Sequence, residues 1–148
     1  MAKDDALRDL EQEAWAGFLH THERLWRAME ARLAKLNVSM AEYSVLSLLY
    51  EAGQDGMRMS DLAQRRLMST GGFTRLADRL QNRGLIERRR SASDGRGFEA
   101  TLTRSGRALT RRARRQHHDD LNELFFNHLD DDRLRTLAET WTLLAPEG

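Results

Sequence analysis

Proline stops helices, and this chain of 148 residues holds one, Pro146. Its ring clashes with the preceding turn and it brings no N–H to the hydrogen-bond ladder. Nothing of that kind interrupts the chain before its tail. Apolar residues instead recur at steps of three and four, which places them on one side of a helix. Over residues 6–36 the series is Trp15, Phe18, His22, Leu25 with Trp26, Met29, Leu33 and Leu36, predicting one long helix with a single apolar stripe. Ser39 with Glu42 makes a capping box, and Val45, Leu48, Leu49 and Ala52 give the core side of a second helix that Gly53 stops.

The middle of the chain changes rhythm. Residues 57–59 read as a short strand, and Ser60 caps a short helix over 61–67. Ser69 or Thr70 opens another helix, which turns Phe73, Leu76, Ala77 and Leu80 inward and ends at Gly84. Two extended runs, 85–90 and 98–102, enclose a loop-forming stretch rich in Ser and Gly, so the pair reads as a β-hairpin. Thr103 caps a long helix to about residue 129, and the aspartates 130–132 start a last one through Leu144. Two short helices joined by a tight turn and followed by a two-stranded wing form a DNA-binding unit. The expected fold is mainly α with a small β-hairpin wing, a winged helix-turn-helix within a single compact domain. Residues 39–103 make the DNA-binding region, and 1–38 with 104–148 a helical dimerisation region. The flanking helices carry apolar faces that so small a domain cannot cover alone, so a homodimer is expected.

Charge supports this division. The net charge is only +1, yet residues 58–115 hold 16 arginines, no lysine and 5 acids, while the segments on either side are acidic. A basic middle between acidic ends suits a polyanion on one face. The absence of cysteine excludes disulfides, thiol redox sensing and thiolate metal sites. No apolar run has the length of a membrane helix and the acidic N-terminus lacks a signal-peptide core, so the chain reads as cytoplasmic with no membrane partner.

The stretch STGGFTRLADRLQNRGLIER over 69–88, followed by Asp94-Gly-Arg96 and then by Leu102-Thr103-Arg-Ser-Gly106, resembles the multiple-antibiotic-resistance regulator (MarR) family of winged-helix proteins. The likeness covers 39–106, and it departs from the family at Gly97-Phe98, where another polar or basic residue is usual. It implies a DNA-binding transcription regulator, a ligand-responsive repressor that binds a pseudo-palindromic operator as a homodimer. The recognition helix then presents Ser69, Thr70, Gly71, Gly72, Thr74, Arg75 and Arg79 to DNA. Arg75 can grip a guanine edge with two hydrogen bonds, and the paired glycines let the backbone approach another surface closely. Arg65 and Arg66 suit phosphates, while Arg89, Arg90 and Arg96 lie in the wing, where Asp94 can orient Arg96 for a narrow minor groove. A solvated polar face is the plainer account of the same residues.

By the same resemblance, Trp15, His22, Tyr43, Tyr50 and His117 line a site for a small aromatic or anionic effector. The alternative is that His22 is an interface histidine and the tyrosines are packing. His117, Asp120 and His128 share a helix with nitrogen and oxygen donors, but no chelating signature fixes them and a polar face explains them equally, so neither metal nor cofactor is expected. No nucleophile elbow, phosphate-cradling glycine loop or metalloprotease helix points to an enzyme. The rival class is a helical adaptor without DNA specificity, which does not need a basic wing.

Overall fold

The computed structural model describes residues 7–65, 70–92 and 95–145. Among these residues six α-helices and three strands follow in the order α1 (Asp9–Ala34), α2 (Met40–Ala52), β1 (Met57–Arg58), α3 (Met59–Arg65), α4 (Thr70–Asn82), β2 (Ile86–Arg90), β3 (Phe98–Leu102), α5 (Arg104–Leu124) and α6 (Asp131–Leu144). They form two compact units, Glu30–His117 and Met1–Met29 with His118–Gly148.

The larger unit closes a core of its own. Leu33, Val38, Val45, Leu46, Leu49, Leu62, Phe73, Leu76, Ala77, Leu80, Ile86, Ala100 and Ala113 are all buried in it. Leu46, not Leu48, completes the inner face of α2, and Leu48 is only half-buried. Residues 42, 45, 46 and 49 follow one another at three- and four-residue steps, so a wheel centred on Leu48 points a residue too far round. Ser39 caps α2 in the expected box with Glu42, and Gly53 ends it at φ 69°.

Two helix ends in this unit share one device. Asn37 (φ 57°) and Gly84 (φ 70°) both take the left-handed conformation. At the first, Val38 N–H reaches back to the Leu33 carbonyl at 3.2 Å, and at the second Leu85 N–H reaches the Leu80 carbonyl at 3.0 Å. Each bond satisfies a carbonyl that the ended helix would otherwise leave bare, and each brings a buried apolar pair together.

The sheet has the order β1-β3-β2 and is antiparallel throughout. The hairpin pairs Ile86 with Leu102 and Arg90 with Phe98. At its tip Ser91 N–H donates to the Gly97 carbonyl at 2.8 Å. The expected strand near residue 57 is the third member, two residues long, on the other edge of β3. Gly56, at φ 71°, admits that pairing, since a Cβ there would stand 2.3 Å from the Ala100 carbonyl oxygen. Thr103 then turns the chain from β3 into α5: its hydroxyl donates to the Gly84 carbonyl at 2.6 Å and accepts from Gly106 N–H at 3.0 Å. Gly106 lies so close to Leu85 that a Cβ would be 1.9 Å from that residue's carbonyl oxygen.

The smaller unit is helical. α5 ends at Leu124 rather than near residue 129, because Phe125 leaves helical geometry at φ −135° and a single 3-10 turn, Phe126–His128, follows. His128 Nε2 donates to the Glu123 carbonyl at 3.1 Å and helps close that end. Asp130 caps α6 by accepting Arg133 N–H at 2.9 Å. Phe18 of α1 lies 5.8 Å from Trp15, 6.4 Å from His22 and 5.7 Å from Trp141 of α6, ring centre to ring centre. These rings stay open to solvent: Trp15 is 57% exposed, Phe18 44%, Trp26 44% and Trp141 47%. Among the described residues no helix is long and apolar enough to cross a membrane.

Candidate nucleic-acid interface

The expected reading face of α4 is a polar side on a helix anchored by its apolar one. Phe73, Leu76, Ala77 and Leu80 are buried, and a quarter to half a turn away Gly71, Thr74, Arg75 and Arg79 are exposed, with Gly72 half-buried. The Arg75 guanidinium leans back over the first turn, its Nη1 standing 3.7 Å from where a Gly71 Cβ would be. A methyl at Gly71 would meet that guanidinium at ordinary van der Waals distance. Arg66, Ser69 and Asp94 lie outside the described residues, as does the side chain of Thr70, whose backbone begins α4. Arg65 is exposed at the end of α3, and Arg89, Arg90 and Arg96 are exposed on the hairpin.

Two residues of this region do work that the sequence alone does not reveal. Asp78, which the helical wheel places on the outward face, holds Arg88 of β2 at 2.5 Å. Arg88 also donates to the Gln81 carboxamide through Nε. The first strand of the wing is therefore tied to the reading helix by a fork of charge-assisted bonds. Ser91, buried at the root of the tip, donates to Glu99 at 2.8 Å and ties the two strands to each other. The signal for Asp78 is faint but present: an acid on an otherwise basic face asks for a specific partner.

Arg83, just past α4, donates to Glu42 Oε2 at 3.1 Å and to the Asn37 carbonyl at 2.6 Å. The same Glu42 oxygen accepts Ser39 N–H at 3.0 Å. The end of the reading helix is thus joined to the start of α2.

The residues expected to line an effector site fall into separate groups. Tyr43 and His117 are in ring contact at 4.7 Å, and burial pushes the Tyr43 hydroxyl above its ordinary pKa. Tyr50 lies under the guanidinium groups of Arg107 and Arg114, at 5.2 and 5.1 Å from the ring centre. A hydrogen bond from Arg111 holds its hydroxyl below the ordinary value. Trp15 and His22 belong to the other compact unit, where Phe18 lies between them and His22 stacks on Trp26 at 5.9 Å. Among the described residues no three of His, Asp and Glu stand together in a way that holds a metal ion.

A helix pair whose second member presents a polar face, followed by a hairpin on a three-stranded sheet, defines a winged helix-turn-helix. Residues 36–97 match the model of the MarR family. Over 94% of both chains the fold is similar to AbsC, a MarR family transcriptional regulator from Streptomyces coelicolor, at 29% identity and a TM-score of 0.88. It is also similar to a MarR mutant from E. coli complexed with operator DNA, at 26% identity and a TM-score of 0.79, over 94% of this chain and all of that one. In sequence the transcriptional repressor YetL of Bacillus subtilis is 23% identical over 121 residues, 82% of this chain and 72% of the relative. The chain is thus similar to MarR family regulators, over residues 36–97 in sequence and over nearly its whole length in fold.

Proposed function

We propose that the chain is a sequence-specific transcription repressor that binds a pseudo-palindromic DNA operator as a homodimer and acts by binding, not by catalysis. The observation that carries this reading is the exposed side of α4, where Gly71, Thr74, Arg75 and Arg79 stand clear of the core beside a wing bearing Arg89, Arg90 and Arg96. A helix of this kind enters the major groove, and arginines on a wing suit the adjacent minor groove or the phosphates. In this reading Arg65 with Arg66 meets the backbone, Ser69 and Thr70 open the reading helix, and Asp94 orients the tip. The open apolar rings of α1 and α6 support a second copy as their cover, and two-fold symmetry sets half-sites about one helical turn apart. The Tyr43–His117 ring contact supports an aromatic effector, for which Trp15, His22 and Tyr50 are the further candidates.

Selection of bound sequences from random duplex DNA is the decisive experiment. The expected outcome is an inverted repeat, bound with an affinity that falls steeply as salt rises. Recovery of unrelated sequences with a single common affinity overturns sequence specificity, and no retention of duplex at all leaves the adaptor reading.

A further inference from the structure

Three arginines of α5 gather around one phenol of α2. Arg107 and Arg114 place their guanidinium carbons over the Tyr50 ring, and Arg111, between them in sequence, hydrogen-bonds its hydroxyl. Spacings of four and three residues put all three on one face of α5, where like charges repel. Arg114 is anchored by Ser47 Oγ at 2.6 Å and Glu51 Oε1 at 2.9 Å. Glu51 is the one carboxylate among the described residues that meets the cluster, and its side chain is 61% exposed. Arg107 and Arg111 have no carboxylate partner among the described residues. Three positive charges thus face one exposed negative charge, and the ring of Tyr50 offsets the repulsion only in part.

We propose that the α2–α5 face around Tyr50 is an oxyanion site that takes a phosphate dianion through Arg107, Arg111 and Arg114. The excess of two positive charges matches a dianion. A guanidinium lying over a ring keeps its N–H edge available, and that planar fork fits phosphate oxygens in pairs. The phenol sets the spacing of the forks and presents its own hydroxyl among them. Inorganic phosphate and the phosphate end of an ester both supply such a dianion, with terminal oxygens of the same kind.

The experiment is calorimetric titration of the full-length protein at pH 7.5 with inorganic phosphate and, separately, with phenyl phosphate, in chloride at constant ionic strength. Saturable binding of either is expected. Tighter binding of phenyl phosphate identifies an ester as the natural class, and equal binding identifies the free ion. Arg111→Gln should weaken either probe by about tenfold, Arg111→Lys by less, since it keeps the charge and loses the fork. Arg112→Gln, on the exposed side of the same helix, should leave the affinity unchanged. A thermal melt without phosphate separates a lost site from a lost fold, because removing one of three like charges should not lower the midpoint. Equal weakening by Arg112→Gln reduces the effect to net charge and overturns the site. So does a protein that ignores both probes while Arg111→Gln weakens duplex of every sequence alike, which makes the cluster a contact to the DNA backbone.

Discussion

Residues 30–117 and the helical unit formed by 7–29 with 118–145 use apolar residues in opposite ways. In the first, leucines from α2, α3 and α4 vanish into a common core with Ile86 and Ala100 of the sheet. In the second, three tryptophans and Phe18 remain 44 to 57% exposed, and Leu143 and Leu144 are more open still. A chain of this composition could have placed charge at those positions, as it does on the outside of α4. The contrast teaches that one unit is closed by its own sequence, while the other leaves its largest rings open to solvent. Large exposed apolar surface is a mark of association.

The comparison breaks first at the head's tightest corner. Gly106→Ala should destabilise residues 30–117 by roughly 3 kcal/mol, since its methyl would collide with the Leu85 carbonyl and neither backbone can yield. Urea unfolding followed by circular dichroism measures this, and a loss below about 1 kcal/mol would mean that the corner relaxes freely. The helical unit should respond to a different insult. Phe18→Glu should raise the dimer dissociation constant about a hundredfold, some 2–3 kcal/mol, by placing a charge among packed rings. Sedimentation equilibrium reads it, and an unchanged constant would assign those rings to another partner.

Two smaller effects sharpen the contrast within the head. Arg75→Ala should weaken operator binding by about 1–3 kcal/mol and relax preference at one base pair, whereas Arg65→Ala should weaken all duplexes alike and flatten the salt slope. If competition assays show Arg75→Ala acting equally on operator and random DNA, Arg75 meets a phosphate only. The smallest effect is spectroscopic. The chain has two tyrosines, and their environments push them apart: Arg111 lowers Tyr50, and burial raises Tyr43. Tyrosinate absorbance should therefore rise in two steps, the one below pH 10 vanishing in Tyr50→Phe and the one above it in Tyr43→Phe. For Tyr43 the sign is that of a folded pKa raised above the unfolded one. Its contribution to stability is complete below about pH 10 and is lost as pH climbs through the folded value.

Much of the head was legible because its punctuation is local. The box of Ser39 and Glu42, the stops at Gly53 and Gly84 and the loop residues between the two strands each act within a few positions of themselves. Burial on α4 follows from its period. What escaped were contacts with no local trace. Arg83 meets Asn37 across 46 residues, and Asp78 meets Arg88 only once the hairpin has folded back. Leu46 escaped through an angular error of one position, and the end of α5 because neither glycine nor proline marks Phe125. For the reading face, exposure at Gly71, Thr74, Arg75 and Arg79 follows from the same period that buries the core, so it was legible too. The gathering of Arg107, Arg111 and Arg114 on Tyr50 was not, because it needs the pairing of two helices far apart in sequence.

The Glu42 carboxylate links two helix ends. A single oxygen closes the first turn of α2 and receives the arginine that ends the segment after α4. Opening either helix end alone therefore strips a partner from the other. Fraying of the two ends should therefore be coupled, where most helix termini open independently. Amides at the start of α2 and the end of α4 should then exchange in part together, the shared ion pair adding a coupling to the cap each end has of its own.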